Sequence, residues 1–598
     1  MIRYQPPIAD LAFALEHVVG YPDIASFPGF EHADLDTVVD LIGQCGDFMA
    51  EVVAPTNHSG DVESAHRQPD GSVVTPAGFA EAYRHYVEAG WGSVPLPEEF
   101  GGGGFPRTVG LIIQELMTSA NMAFALCPLL TQGAIEALLH YGDAGQKRRY
   151  LPKMVSGEWT GTMNLTEPQA GSDVGALTTR AVPQPDGSFA ITGQKMFITF
   201  GDHDMAEQIV HLVLARTPGA PAGTKGISCF IVPKFLVNDD ESLGERNSVH
   251  TVSLEHKMGI HGAPTCVLSY EEATGYLIGE ENLGMRIMFV MMNSARLSVG
   301  MQGLAVGERA YQQSLAYAQE RRQGLAIGAT GADSAIIEFP DVRRMLLTQR
   351  ASLAALQYLM LLDASYVDRS THDPNPAARA RANEIVGILT PICKSFGSDL
   401  GNELTSLALQ IHGGMGYIEE TGVAQHMRDV RIAAIYEGTN GIQAADLVGR
   451  KLGVRGGASV MEFLATMREI GTELAEAGTE FDTIREELDR QFDALEQATQ
   501  WMLSTGRADP NSVLAGSTPY LRMWGLCTSG WLLARAAVSA PATGDARREE
   551  SQLVLARFYA EQLLPQCAGL LGAATAGSRD LFALDADQLS GATSRVRH

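Results

Sequence analysis

Residues 188–201, SFAITGQKMFITFG, decide the fold class because they interrupt an otherwise helical sequence. The run follows the turn residues Pro185, Asp186 and Gly187, and such turn chemistry beside a β-type run is typical of a hairpin. Other short runs with the same character follow it: IVHLVLART, GISCFIVP, HTVSLEHKMGIHG and TCVLSYEEA. The sequence therefore predicts a small β-barrel or sandwich in the middle of the chain.

Apolar residues on both sides of this β region recur at three- and four-residue spacing, which is the period of an amphipathic helix. The pattern is clear in LDTVVDLIGQCGDFMAEVV before the region and in RRMLLTQRASLAALQYLMLLDASYV after it. A chain of 598 residues is also too long for a single hydrophobic core. We therefore predict a mostly α-helical protein with a central β-barrel domain. The predicted domains are an N-terminal helical domain at 1–160, the β domain at 161–280, a helical bundle at 281–450 and an additional helical domain at 451–598.

The composition argues against several classes of protein. The chain has 44 Lys and Arg against 70 Asp and Glu, a net charge of −26, and the field of such a protein repels nucleic acid. Its seven cysteines form no CxxC pair and have no metal-ligand spacing, which favours reduced core thiols, the cytoplasm and no metal site. The N-terminus lacks the apolar run of a secretory signal, and the most apolar later stretch contains Asn293 and Arg296. We therefore expect no membrane span.

One carboxylate stands apart in AAIYEGTNGIQ, residues 433–443, because every neighbour of Glu437 in this stretch is uncharged. A lone Glu in an apolar turn hinged by glycine has two interpretations. It is part of an ordinary surface loop, or it is a base whose pKa has been raised by desolvation. The residues of this stretch alone leave both interpretations open.

The order helical block, β block, helical block is that of the acyl-CoA dehydrogenase flavoproteins, and five separated motifs of this chain resemble motifs of that family. The first is NLTEPQAGSDVGALTTRA, residues 164–181. The resemblance implies that Leu165 and Thr166 face the flavin and that Ser172 lies beside the acyl-CoA. In an unrelated protein the same residues would form only an Asx or Ser/Thr turn.

The second motif is GQKMFIT, residues 193–199, and it resembles the strand that covers the flavin ring in the family. The resemblance assigns this role to Phe197 and Thr199. The family often has Trp at the aromatic position, and Phe197 keeps an aromatic face for stacking. The first two motifs together imply FAD as the cofactor.

The third motif, MMNSARLSVG at 291–300, resembles the start of the long helix that borders the substrate. The resemblance implies that Arg296 lies close to the reacting end of the acyl-CoA and that Asn293 contacts the CoA arm. The alternative for Arg296 is an ordinary ion pair on a helix.

The fourth and fifth motifs, AQERRQG and LQIHGGMGY, resemble two segments that meet the cofactor of a neighbouring subunit. Arg321 and Gln323 are implied to reach the FAD pyrophosphate, for which the planar guanidinium group is suited. Gln410, Gly413 and Gly414 are implied to approach the cofactor across a dimer interface, where larger side chains would block the approach. Shorter members of the family are tetramers, and the additional helical region at 451–598 is expected to cover the groove that a second dimer occupies in them, which leaves a homodimer.

The stretch IYEGTNGIQ resembles the segment that carries the catalytic base. The resemblance implies that Glu437 removes the α-proton of the acyl-CoA, with Tyr436 and Gly438 beside the substrate and Thr439 and Asn440 at the cofactor. The α-proton of a thioester is weakly acidic, so the base needs a raised pKa and the developing enolate needs hydrogen-bond donors. Desolvation beside an aromatic ring supplies the first requirement.

Two departures from the family's patterns affect these assignments. Some members carry the base one residue before the Arg of the third motif, where this chain has Ala295, which accepts no proton. Shorter members place an Arg twelve residues after the catalytic Glu, where this chain has Gly449 followed by Arg450. The role of that Arg in binding the CoA phosphate is therefore not transferred.

The resemblance implies FAD-dependent dehydrogenation of an acyl-CoA to a trans-2-enoyl-CoA, with an electron-transfer flavoprotein as electron acceptor. Within the long members of the family, YEGTNGIQAADLVGRK and KMGIHGAPTCVL are most similar to a subgroup that acts on 3-methylmercaptopropionyl-CoA. A short- or medium-chain fatty acyl-CoA is the alternative substrate, and an acyl-CoA oxidase is the alternative activity. A DNA-associated flavoprotein is disfavoured, because residues 451–598 hold 14 Lys and Arg against 19 Asp and Glu.

Overall fold

The structure is a computed structural model that describes residues 2–591. Helices occupy both ends of the chain and strands its middle, which confirms the predicted mostly α-helical fold with a central β domain. The helices of the N-terminal region are α1 (Ile8–Phe13), α2 (Tyr21–Ala25), α3 (Leu35–Phe48), α4 (Thr56–Glu63), α5 (Phe79–Glu88), α6 (Arg107–Ala120), α7 (Met122–Tyr141) and α8 (Ala144–Ser156). A short hairpin of β1 (His66–Arg67) and β2 (Val73–Val74) lies between α4 and α5.

The central domain is built from nine strands. They are β3 (Trp159–Asn164), β4 (Arg180–Pro183), β5 (Phe189–Thr199), β6 (Gln208–Ala215), β7 (Ser228–Pro233), β8 (Phe235–Val237), β9 (Leu243–Arg246), β10 (Val249–Leu254) and β11 (Thr265–Leu277). Seven of them form one sheet in the order β3-β6-β7-β11-β5-β4, with β10 also paired to β11. Among the strands of residues 2–591, β3 and β6 form the one parallel ladder, and β8 and β9 form a separate hairpin.

The sheet bends back on itself. The N–H of Ala181 in β4 donates to the carbonyl of Arg216 at 2.8 Å, and the N–H of Arg216 donates to the carbonyl of Thr179 at 2.9 Å. These bonds join the β4 edge to the end of β6, so the sheet takes on a barrel-like closure that protects its edges.

A bundle of long helices follows the β domain. Its helices are α9 (Gly284–Glu320), α10 (Pro340–His372), α11 (Pro376–His412), α12 (Val423–Val430) and α13 (Asn440–Asp446). Helices α9 and α11 run in the same direction and touch through glycines, because a Cβ added at Gly300 or Gly303 would overlap the backbone of α11. Further along, the ring of Tyr317 in α9 stacks on His412 at the end of α11, with a centroid distance of 4.4 Å.

The most membrane-like segment of the structure is not the apolar stretch around Asn293 and Arg296 that the sequence indicated. Helix α7 is, by length and composition, apolar enough to cross a membrane, but 89% of its apolar window is buried inside the protein. No other helix within residues 2–591 meets the same criteria. The side chain of Asn121 caps the start of α7 by accepting a hydrogen bond from the N–H of Phe124 at 3.1 Å.

The chain continues into an additional helical region that packs on the bundle. Its helices are α14 (Ala458–Arg468), α15 (Ile470–Ala477), α16 (Asp482–Thr505), α17 (Pro510–Ser539), α18 (Ala546–Gln562), α19 (Gln566–Thr575) and α20 (Ala586–Leu589). Gly525 in α17 lies directly on the ring of Phe396 in α11, so the two regions share one hydrophobic core. All seven cysteines lie in the described residues, buried and free of disulfides.

Candidate active site

The predicted base lies in a tight turn between α12 and α13, which we call the Glu437 turn (residues 436–439). Glu437 has a φ of +55° and Gly438 a φ of +81°, and a left-handed conformation costs a non-glycine residue about 1–3 kcal/mol. Helix α13 begins immediately after the turn, where the Thr439 hydroxyl accepts a hydrogen bond from the N–H of Ile442 at 3.3 Å. The surrounding protein thus holds Glu437 in a conformation that it would not adopt freely.

The carboxyl group of Glu437 has an unusual proton affinity. Tyr436, Glu437 and Gly438 each keep part of their surface accessible. Desolvation raises the pKa of Glu437 to about 7, while Arg296 and Lys394 act in the opposite direction. A carboxylate with a pKa near neutrality is suited to accept a proton at neutral pH.

Arg296 on α9 is the first of the two cations near Glu437. It is buried, and its Nη1 lies 3.2 Å from the carboxylate of Asp446 on α13. Nε of Arg450 lies 2.5 Å from the other oxygen of the same carboxylate. Arg296 therefore forms the ion pair considered as the alternative and also acts electrostatically on Glu437.

Lys394 on α11 is the second cation, and none of the sequence motifs predicted it. Its side chain is fully buried, and Nζ donates a hydrogen bond to Oδ1 of Asn440 at 2.8 Å. The Asn440 amide nitrogen donates in turn to Asp399 at 2.7 Å. Asn440, which was predicted to contact the cofactor, thus turns its amide towards α11. The signal that could have revealed Lys394 is a lone charge in the apolar helical stretch ILTPICKSFGS.

Gln302 on α9 was also missed. The Tyr436 hydroxyl donates a hydrogen bond to Oε1 of Gln302. Gln302 is fully buried, and its Nε2 has no partner among the described residues. This contact holds the ring of Tyr436 in place beside Glu437.

The first two sequence motifs lie together in the β domain. The N–H of Met196 in β5 donates to the carbonyl of Thr166 at 3.0 Å, and Nζ of Lys195 donates to the carbonyl of Leu165 at 3.0 Å. Lys195 also forms a fully buried ion pair with Glu167, at 2.9 Å. The loop of the first motif is therefore fastened to the strand of the second.

The surface formed by these motifs fits a flavin ring. Phe197 is 56% exposed and has a φ of +60°, so its ring stands free at the end of a strand. Leu165, Thr166 and Thr199 are partly exposed. An aromatic face with two nearby hydroxyl groups matches a planar heteroaromatic ligand with polar edges, such as the flavin of FAD.

A second group of predicted cofactor residues lies at the far end of the bundle. Its members, all exposed, are Arg321, Gln323, Gln410, Gly413 and Gly414. Arg321 donates to Gln323 at 3.2 Å, and a Cβ added at Gly413 or Gly414 would meet no atom within 4 Å.

The structure does not bring this group to Glu437 within one chain. Arg321 follows Arg296 by 25 residues along α9, which corresponds to about 37 Å at the rise of an α-helix. Tyr317 stacks on His412, so the glycine turn lies at the same distant end as Arg321.

Apart from those in the Glu437 turn, the predicted substrate residues fall into two places. Asn293 and Arg296 line a cavity of about 710 Å³, which is also bordered by Leu297 and Lys451. This volume is in the range of small-molecule sites. Ser172, in contrast, lies exposed in the loop of the first motif and does not border the cavity.

Four family models match the chain in succession. They are the N-terminal, middle and C-terminal domains of acyl-CoA dehydrogenase at 40–158, 162–273 and 282–452, and an "Acetyl-CoA dehydrogenase C-terminal like" domain at 462–585. They cover most of the chain, including every motif discussed above.

The chain also aligns with known proteins over nearly their full lengths. The chain is 45% identical to 3-methylmercaptopropionyl-CoA dehydrogenase of Ruegeria pomeroyi, over 95% of this chain and 97% of the relative. It is 34% identical to the broad-specificity linear acyl-CoA dehydrogenase FadE5 of Mycobacterium tuberculosis, over 94% of this chain and 96% of the relative. The fold matches that of a Bacillus anthracis acyl-CoA dehydrogenase complexed with FAD, with a TM-score of 0.71, 22% identity, and coverage of 97% of this chain and 93% of that one.

Proposed function

The chain belongs to the acyl-CoA dehydrogenase family, and on that premise we propose that it oxidises 3-methylmercaptopropionyl-CoA to methylthioacryloyl-CoA, a step of dimethylsulfoniopropionate breakdown. The family assigns to it the FAD-dependent α,β-dehydrogenation of acyl-CoA thioesters. The observation that supports the site is the carboxyl group of Glu437. Its pKa of about 7 leaves a substantial fraction of it ionised at neutral pH and makes that carboxylate a stronger base than an ordinary Glu.

The reaction removes one proton and one hydride from adjacent carbons and leaves a double bond between them. Glu437 takes the proton from the α-carbon onto a carboxylate oxygen. Bound FAD supplies the acceptor for the hydride from the β-carbon. The backbone N–H of Glu437 is proposed to donate a hydrogen bond to the thioester oxygen, where negative charge develops.

The chain's other residues hold this arrangement in place. Phe197, Thr166 and Thr199 are proposed to position the flavin ring. Tyr436, held by Gln302, forms a rigid wall beside the base. The carboxamide of Gln443 donates to the carbonyl groups of Glu437 and Gly438, both at 3.3 Å, and so keeps the Glu437 turn from opening.

The choice of substrate is tested by comparing acyl chains. Among butyryl-, octanoyl- and 3-methylmercaptopropionyl-CoA, we expect the last to give the highest kcat/KM, by about tenfold or more over octanoyl-CoA, since each methylene misfit in an apolar pocket costs about 1–3 kcal/mol. Identity is 45% to the relative named for this substrate and 34% to the broad-specificity relative, which supports this order. A higher kcat/KM for octanoyl-CoA would contradict the substrate and leave the reaction class intact.

We also propose that the functional unit is a homodimer. Arg321 lies about 37 Å from Arg296 along α9, whereas only a ribityl chain separates the flavin ring from the pyrophosphate of FAD. An FAD whose flavin ring lies beside Glu437 and Arg296, as the proposed reaction requires, therefore does not reach Arg321 of the same chain. The group at the far end of the bundle is free to serve the FAD of a partner.

Light scattering of the FAD-bound protein is expected to give the mass of two chains, since a lone chain leaves each cofactor site incomplete. A variant Arg321→Ala with Gln323→Ala is expected to lose FAD without losing its fold. A tetramer, or a monomer that retains FAD, would contradict the proposal.

An electron-transfer flavoprotein is the proposed acceptor of the electrons, as is general for the family's dehydrogenases. The cytoplasm is the proposed location, and the seven buried cysteines without disulfides are compatible with its reducing conditions.

A further inference from the structure

A buried lysine lies behind the Glu437 turn, and the reaction described above does not use it. Lys394 has no accessible surface, and burying an ammonium group costs several kcal/mol unless it has partners. Its hydrogen-bond partner, Asn440 Oδ1 at 2.8 Å, is a neutral amide. Such a costly arrangement indicates a role for the charge.

The charged groups around Glu437 come from three helices. Arg296 on α9 is paired with Asp446 on α13 at 3.2 Å, so part of its charge is compensated. Lys394 on α11 has no carboxylate at hydrogen-bond distance within residues 2–591, although Asp399 on the same helix acts on it electrostatically. Lys394 is therefore the less compensated of the two cations that act on Glu437.

Lys394 is also connected mechanically to the turn. Asn440 is the first residue of α13 and follows Glu437 by three residues. Its amide nitrogen donates to Asp399 at 2.7 Å and to the Ser398 hydroxyl at 3.0 Å. The bond from Lys394 completes this network, which fastens the start of α13 to α11.

We propose that Lys394 is a positioning residue: its buried ammonium group holds the Glu437 turn through Asn440 and, together with Arg296, supplies positive charge that keeps Glu437 ionised when water leaves the site. This inference rests on the role of Glu437 as the base. Lys394 keeps its own protons throughout, and the only proton that moves passes from the substrate α-carbon to Glu437.

The direction of the effect follows from the charges. Desolvation raises the pKa of Glu437 to about 7 although both cations oppose it, so removing one cation raises the pKa further. Desolvation lowers the pKa of Lys394 to about 8, which leaves it mostly protonated at pH 7. A higher Glu437 pKa means fewer molecules with an ionised base at neutral pH, and the rate at pH 7 falls accordingly.

The test compares Lys394→Met and Lys394→Gln with the unchanged protein. In the unchanged protein, the single-turnover rate of flavin reduction by acyl-CoA is expected to fall as the pH drops below about 7. We call this decline the acid limb of the pH–rate profile. In both variants this acid limb is expected to move upward by about 1–3 pH units, the usual effect of one nearby charge. Lys394→Arg keeps the positive charge, so its acid limb is expected to stay at the pH found for the unchanged protein.

Asn440→Ala provides the matched control, because it removes the hydrogen bond and leaves the charge. It is expected to raise KM by loosening the Glu437 turn while the acid limb stays in place. A shift of the limb in Asn440→Ala equal to that in Lys394→Met would overturn the electrostatic role.

A readout that needs no turnover is the carboxyl stretching band of Glu437, identified in infrared difference spectra by its absence from Glu437→Gln. The pH at which this band reaches half of its full intensity is expected to rise in Lys394→Met and Lys394→Gln. An unmoved midpoint in both overturns the inference. If the unchanged protein instead fails to reduce its flavin with any acyl-CoA, the proposed function fails while the infrared titration still decides the effect of Lys394.

Discussion

Glu437→Gln is expected to bind FAD normally and to lose flavin reduction by acyl-CoA by about 10⁴-fold, the upper end of the usual contribution of a general base. The substitution keeps the size of the side chain and removes its ability to accept a proton. Ala295 occupies the alternative position of the base, so no second carboxylate takes over. The measurement is the absorbance of the flavin after anaerobic mixing with acyl-CoA.

Glu115→Gln is the matched control for this prediction. Glu115 is also buried, desolvation raises its pKa to about 8, and it accepts a hydrogen bond from Gln357 at 2.7 Å. Since Glu115 is then mostly neutral at pH 7, replacing it by Gln changes little, and flavin reduction is expected to stay within about twofold. If acyl-CoA fully bleached the flavin of the Glu437→Gln protein, Glu437 would not be the catalytic base.

Lys195→Met is expected to lower the free energy of unfolding by about 3–5 kcal/mol, because it leaves a buried carboxylate without its cation. Glu167 is almost fully buried and lies 2.9 Å from Lys195. Desolvation opposes its ionisation, but Lys195 and the Thr179 hydroxyl outweigh this effect and lower the pKa of Glu167. Without Lys195, Leu165 also loses its hydrogen-bond donor, so the flavin-facing loop loosens.

The measurement is denaturant unfolding together with the FAD content of the purified protein. Lys153→Met serves as the control, because Lys153 and Glu158 form an ion pair at 3.1 Å with both side chains partly exposed. Exposed pairs contribute about 1 kcal/mol or less. Equal losses of unfolding free energy in the two variants would show that the buried ion pair stabilises the protein no more than the exposed one.

Much of the fold was determined by local sequence patterns. The change from a helical to a strand-like period at 188–201 and back again predicts the order of the domains, because side-chain periodicity reports directly which face of each element is buried. Likewise, a short motif such as IYEGTNGIQ identifies Glu437, because the turn conformation and the base lie within a few consecutive residues.

Other features depended on the tertiary structure. Lys394 and Gln302 lie 43 and 135 residues from Glu437 along the sequence, on buried faces where a polar side chain leaves no periodic signature. Their partners are defined only when α9, α11 and the Glu437 turn pack together. The distance between Arg321 and Arg296 is equally a property of the folded chain, since the 25 residues between them span tens of ångströms only because they form one continuous helix. Sequence specified which chemical groups are available, and the packing of helices decided which of them act on the same carboxylate, because electrostatic effects depend on distance and burial in space.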